Sequence, residues 1–72
     1  MVSRTVLDNV RAIADMRDIT LQQLAIDIGI SPTSIYRWGK VEPRLYAVAR
    51  VADRLYCTVD DLLEGVDIEV DE

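Results

Sequence analysis

Apolar residues return at helical intervals through most of the chain, and the breaks between them are cap and turn residues. From Thr5 to Met16, Val6, Val10, Ile13 and Ala14 recur every three or four positions with Leu7 beside them, which predicts a first amphipathic helix. Ser3 or Thr5 is placed to cap it. Arg17-Asp18-Ile19 reads as a short connection. Thr20 then opens a second helix whose apolar face is Leu24, Ala25 and Ile28. Gln23, three residues after that hydroxyl, completes a capping-box pattern. Gly29 supplies a left-handed stop. Ser31-Pro32 starts a third helix, with a cap followed by a proline where its missing N–H costs nothing. Ile35 and Trp38 form the apolar side of that helix, which should run to about Trp38 and stop at Gly39. Lys40 to Pro43 reads as a loop, because the residue before proline disfavours helix. Leu45, Val48, Ala49, Ala52 and Leu55 place a fourth helix. Thr58 caps a last short turn that brings Leu62 and Leu63 back to the core. The expectation is an all-α domain of five helices over residues 1–64.

Residues 65–72 follow a different period. Val66, Ile68 and Val70 alternate with Asp67, Glu69 and Asp71, the signature of a half-buried strand. A lone strand needs a partner, such as its twin in a dimer; the other reading is a disordered acidic end. Leu63, Val66 and Ile68 are the candidate dimerisation residues.

At 72 residues the chain has room for one small domain. Half the residues are apolar, and with three Tyr, one Trp and no Phe the core must be aliphatic. No apolar run reaches 18 residues and the N-terminal segment has no apolar signal core, so neither a membrane partner nor export is expected. Cys57 stands alone, so no intrachain disulfide forms, and the cytoplasm is the expected compartment. Net charge is −5, which at first argues against a polyanionic partner. Its distribution reverses that reading: residues 1–56 carry +2 and residues 57–72 carry −7. The local field matters more than the total.

The third helix carries the candidate chemistry. At 100° per residue, Thr33, Tyr36, Arg37 and Lys40 fall on one side, opposite Ile35 and Trp38, with Ser34 at the margin. Arg37 can pair two N–H groups with guanine O6 and N7. Thr33 can bond a base edge or touch a thymine methyl. Tyr36 can stack on sugar or reach a phosphate. The start of the second helix offers free N–H groups at Leu21, Gln22 and Gln23, and the positive end of a dipole. Gln22 adds an amide, and Lys40 and Arg44 flank the far end of the third helix. Base-contacting residues are therefore expected at Thr33, Ser34, Tyr36 and Arg37. Phosphate-contacting residues are expected at Thr20, Gln22, Gln23, Lys40 and Arg44. Arg44 can instead pair with Glu42. Arg50 and Arg54, on the outer face of the fourth helix, are expected to be simply solvated.

The elements Thr20…Leu24-Ala25…Gly29-Ile30-Ser31…Ile35…Arg37-Trp38, then Pro43, then Val51-Ala52…Leu55…Thr58…Asp61-Leu62 give the chain a family likeness. It resembles the lambda-repressor-like, Cro-type helix-turn-helix family of phage and bacterial regulators over residues 6–63. That resemblance implies a compact five-helix fold in which the second and third helices read DNA. It also implies binding as a dimer to a two-fold-symmetric double-stranded operator, and origin in a phage or other mobile element. Four positions depart from the pattern. Leu21 stands where many relatives have glutamine, and Ala14 and Gly39 replace an Arg–Glu pair. The loop before Pro43 is about two residues shorter, and Tyr56 occupies a site often held by glycine, where a left-handed backbone strains a bulky residue.

The sequence carries no histidine, no phosphate loop and no paired cysteine, so no catalytic residue, metal site or cofactor is expected. The leading expectation is a small Cro-like repressor that binds operator DNA with the helix at 32–39, with no small-molecule effector. The alternative is a protein-interaction module on the same fold, an antitoxin or antirepressor acting through the acidic tail.

Overall fold

A hydroxyl side chain starts four of the five α-helices among the described residues. The structure, a computed structural model, describes residues 4–66. α1 spans Val6–Met16, α2 Leu21–Ile28, α3 Pro32–Tyr36, α4 Leu45–Arg54 and α5 Val59–Leu63. A single 3₁₀ turn at Arg37–Gly39 prolongs α3. Thr5, Thr20, Ser31 and Thr58 each accept a hydrogen bond from the N–H three residues on. A cap of this kind stabilises a helix by about 1 kcal/mol. α4 has no side-chain cap hydrogen bond; its N-cap position is Arg44, directly after Pro43. In α1 and α5 the bond is reciprocal. Asp8 Oδ2 accepts from Thr5 N at 2.9 Å, and Asp61 Oδ2 accepts from Thr58 N at 2.9 Å. The capping box expected at Thr20–Gln23 is only half formed. Thr20 Oγ1 accepts from Gln23 N at 3.0 Å, but the Gln23 amide turns along the helix and donates to Asp27 Oδ1 at 2.8 Å.

Three helices end in the same left-handed motif, although only one has glycine there. After α2, Gly29 adopts φ 83° and Ile30 N donates back to Ala25 O at 3.0 Å. After α1, Asp18 adopts φ 56° and Ile19 N reaches Ala14 O at 2.9 Å. After α4, Tyr56 adopts φ 56° and Cys57 N reaches Ala52 O at 2.9 Å. These are the six-to-one bonds of a helix-terminating turn. The family likeness marked Tyr56 as a place where the helix end would differ, yet the left-handed turn is kept there, and the one at Asp18 was missed.

Sixteen aliphatic and aromatic side chains form one buried cluster, drawn from every helix and centred on Val10, Leu24, Ile35, Val51, Leu55 and Leu62. α2 packs against both α3 and α4, while α1 closes over α5 and the 3₁₀ turn. The buried stripe of α4 is Ala47, Val48, Val51, Ala52 and Leu55. Leu45 and Ala49, expected on that stripe, are exposed, because the helix is rotated to bring Ala47 and Val51 inward.

One buried polar side chain escaped the apolar pattern. Asn9 Nδ2 donates to Leu62 O at 2.7 Å and to Glu64 O at 2.9 Å, and its Oδ1 accepts from Arg4 Nε. The amide thus satisfies carbonyls left open at the end of α5, and its own burial costs little. Arg4 and Val66 form an isolated parallel bridge beside it. A single bridge is not a strand, and the strand expected over residues 65–72 falls almost wholly outside the described residues. Residues 67–72, including Ile68, lie outside the described residues.

Candidate nucleic-acid interface

α3 is short, and two side chains seat it. Ile35 is fully buried and Trp38 is 7% exposed, and both belong to the central cluster. Thr33, Ser34, Tyr36, Arg37 and Lys40 are all exposed, as the helical projection required. The ridge tightens at its end. From Arg37 the chain takes 3₁₀ winding, and Lys40 N donates to Arg37 O at 2.9 Å, so Lys40 lies past the helix rather than on its face.

The members of the ridge are not equivalent. Arg37 makes no side-chain hydrogen bond or ion pair among the described residues, and neither do Thr33, Tyr36 and Lys40. Ser34 is engaged: its hydroxyl lies 3.0 Å from Ser31 Oγ, within the cap. An open cleft lies on each side. One, of about 510 Å³, is bounded by Tyr36, Arg11 and the α2 start at Thr20 and Leu21. The other, of about 450 Å³, is bounded by Ser34, Arg37, Arg44 and Tyr46. The structure thus brings the base-reading candidates onto one crest and sets the phosphate candidates Thr20 and Arg44 beside the two troughs.

Several expectations change here. Of the three N–H groups taken as free at the start of α2, Gln23 N is capped by Thr20, leaving those of Leu21 and Gln22. The Gln23 amide donates to Asp27, which also accepts from Arg54 Nε at 2.9 Å. The Gln23 amide, and then the Arg54 guanidinium, hold the Asp27 carboxyl below the ordinary aspartate value. Arg44 forms no ion pair with Glu42; the ion pair among the described residues is Arg54–Asp27. Arg50 and Arg54 are not simply solvated. Arg50 Nη1 donates to Ile28 O at 3.2 Å, at the end of α2, so both arginines are tied to α2.

Arg11 was missed, and it reaches the first cleft together with Asp15 and Asp18. Its signal was the polar face of the first helix, which positional spacing alone does not aim at any neighbour. The two carboxylates lower the positive potential of that trough. Leu63 and Val66 are half-buried and line an apolar groove of about 240 Å³ with Val6, Pro43, Leu45 and Val48. Cys57 is half-buried, and burial, reinforced by Asp61, pushes its thiol up, so it stays protonated at neutral pH. Among the described residues no three His, Cys, Asp or Glu side chains converge as metal ligands. No helix among them is long and apolar enough to cross a membrane.

A capped helix, a tight glycine turn and a second capped helix with a free polar crest define a helix-turn-helix DNA-binding domain. The profile of the Cro/C1-type helix-turn-helix DNA-binding domain matches residues 9–67, and the chain belongs to that family. Solved structures agree. The chain superposes on the solution structure of the DNA-binding domain of the P22 c2 repressor with a TM-score of 0.78 at 25% identity. That match covers 90% of this chain and 88% of the other. It superposes on the solution structure of the SOS-response repressor LexA from Eubacterium rectale with a TM-score of 0.76 at 26% identity, covering 100% and 83%. It also matches the crystal structure of the P22 c2 repressor with a synthetic operator, with a TM-score of 0.76 at 25% identity over 88% and 98% of the chains. No curated protein gives a significant match. Family and fold are those of DNA-binding regulators of repressor type, with the lambda-repressor-like arrangement of helices.

Proposed function

We propose that the chain is a sequence-specific regulator of Cro-like repressor type that reads double-stranded operator DNA in the major groove with residues 32–39. One observation carries this reading. The polar crest Thr33–Tyr36–Arg37 is exposed and has no side-chain partner among the described residues, while Ile35 and Trp38 beneath it are locked in the core. A rigid probe loses little conformational entropy on binding. Arg37 and Thr33 are the principal base readers, Tyr36 borders sugar and phosphate, and Ser34 contributes from the cap. Thr20, Gln22 and the N–H groups of Leu21 and Gln22 hold the backbone on one side. Lys40 and Arg44 hold it on the other. The Gln23 amide, tied to Asp27, reaches a phosphate only through its second N–H.

The regulator acts as a homodimer, at least on DNA, through the apolar groove of Leu63, Val66, Pro43, Leu45 and Val48. Leu45 is 78% exposed, an aliphatic side chain that a second copy would cover. No small-molecule effector is needed, since concentration alone sets occupancy.

The test is a binding titration against duplex from upstream of its own gene and against random duplex, at several salt concentrations. Arg37→Ala should lose affinity for the specific duplex alone. Lys40→Ala should weaken both and reduce the slope against log salt by about 1. Equal losses on both duplexes for Arg37→Ala remove that residue from base reading.

A further inference from the structure

α4 has two working flanks. At 100° per residue, Leu45 lies to one side of its buried stripe, next to Val48, and Arg50 and Arg54 lie to the other. The first flank borders the apolar groove at which a second copy is placed above. The second flank holds α2. Arg50 Nη1 donates to Ile28 O at 3.2 Å, a last-turn carbonyl with no partner inside its own helix. The cation also meets the negative end of the α2 dipole. The Arg50 guanidinium lies 5.6 Å from the centre of the Tyr46 ring, which steadies it from behind. One turn further on, Arg54 Nε donates to Asp27 Oδ2 at 2.9 Å, and Asp27 Oδ1 accepts from Gln23 Nε2 at 2.8 Å. Both carboxylate oxygens of Asp27 are thus occupied. The chain of bonds runs from the end of α4 to the first turn of α2.

The buried residues of α2 and α4 are Leu, Ile, Val and Ala only. Attraction among such groups has no preferred direction, so it sets which face turns inward and tolerates small rotations about that setting. Hydrogen bonds do have a preferred direction, and here they sit on the rim, where a small rotation would break them.

We propose that Arg50 and Arg54 are positioning residues for operator recognition. They fix the angle between the α2–α3 head and the flank of α4 on which the second copy docks. That angle sets the half-site separation at which two heads enter successive major grooves, about one helical turn apart (roughly 34 Å). The role rests on the homodimer reading given above.

The test uses the duplex that wild-type protein selects from a randomised pool, with single base pairs added or removed between its half-sites. Wild type should bind the shifted duplexes about tenfold more weakly, and Arg50→Gln/Arg54→Gln should reduce that penalty to about threefold or less. Affinity for an isolated half-site and the salt slope should not change, because neither side chain touches DNA. The charge-swapped pair Asp27→Arg/Arg54→Asp should restore part of the penalty. A role confined to stability would lower the melting temperature and leave the spacing penalty intact, and that result overturns the proposal. If wild type shows no spacing preference, the homodimer reading fails and the positioning role fails with it. If the double variant does not fold, Arg54→Gln alone decides on the same duplex series: a retained penalty overturns the role, and a reduced one supports it.

Discussion

Two exposed cationic helix faces, the crest of α3 with Arg37 and the outer flank of α4 with Arg50 and Arg54, look alike in sequence and differ in structure. Arg37 projects from the molecule with no partner among the described residues. Arg50 and Arg54, of the same chemistry, are bound to Ile28 and Asp27. Positive charge on a helix therefore does not identify a nucleic-acid contact. The informative property is whether the side chain is already anchored, because a guanidinium held by a carbonyl or a carboxylate can reach outward only with its remaining N–H groups.

The most severe way to break the contrast is to remove what supports the crest. Trp38→Ala should cost about 3–5 kcal/mol, read by chemical or thermal unfolding, because Trp38 is a large core side chain beneath Arg37. Next in size, Arg37→Ala should lose about 1–3 kcal/mol of discrimination against the wrong base and leave the melting temperature unchanged. Arg54→Ala should show the reverse, with a lower melting temperature and the base preference of a half-site intact. Should Arg54→Ala also relax base preference, the distinction between the two faces is lost.

Smaller effects sharpen it. Tyr56→Gly removes a bulky side chain from φ 56° and should stabilise the fold by about 1 kcal/mol, with base preference unaffected. Acid should act more weakly, through the carboxylates. Asp8 and Asp61 are held below the ordinary aspartate value by the N–H groups and hydroxyls of Thr5 and Thr58, and Asp27 by Gln23 and then Arg54. Groups depressed in the folded state contribute stability above their unfolded value and lose it as pH falls through the folded one. The melting temperature should therefore decline below about pH 4, and less steeply in Asp27→Asn.

The sequence by itself determined where α1, α2, α3 and α5 begin and where α2 ends, because hydroxyl caps, Gly29 and Pro32 act on their immediate neighbours. It also determined which side of α3 faces outward, since Ile35 and Trp38 on one side and Thr33, Tyr36 and Arg37 on the other follow from helical geometry alone. Only the tertiary structure decided the partners of side chains far apart in the chain. Asn9 meets Leu62 and Glu64 across more than fifty residues, Arg54 meets Asp27 across twenty-seven, and Leu45 turns outward although its spacing suited the core. Local backbone geometry repeats with a fixed period and can be read along the chain. Which hydrogen-bond donors remain free depends on how the helices are packed, and no pattern within one segment carries that.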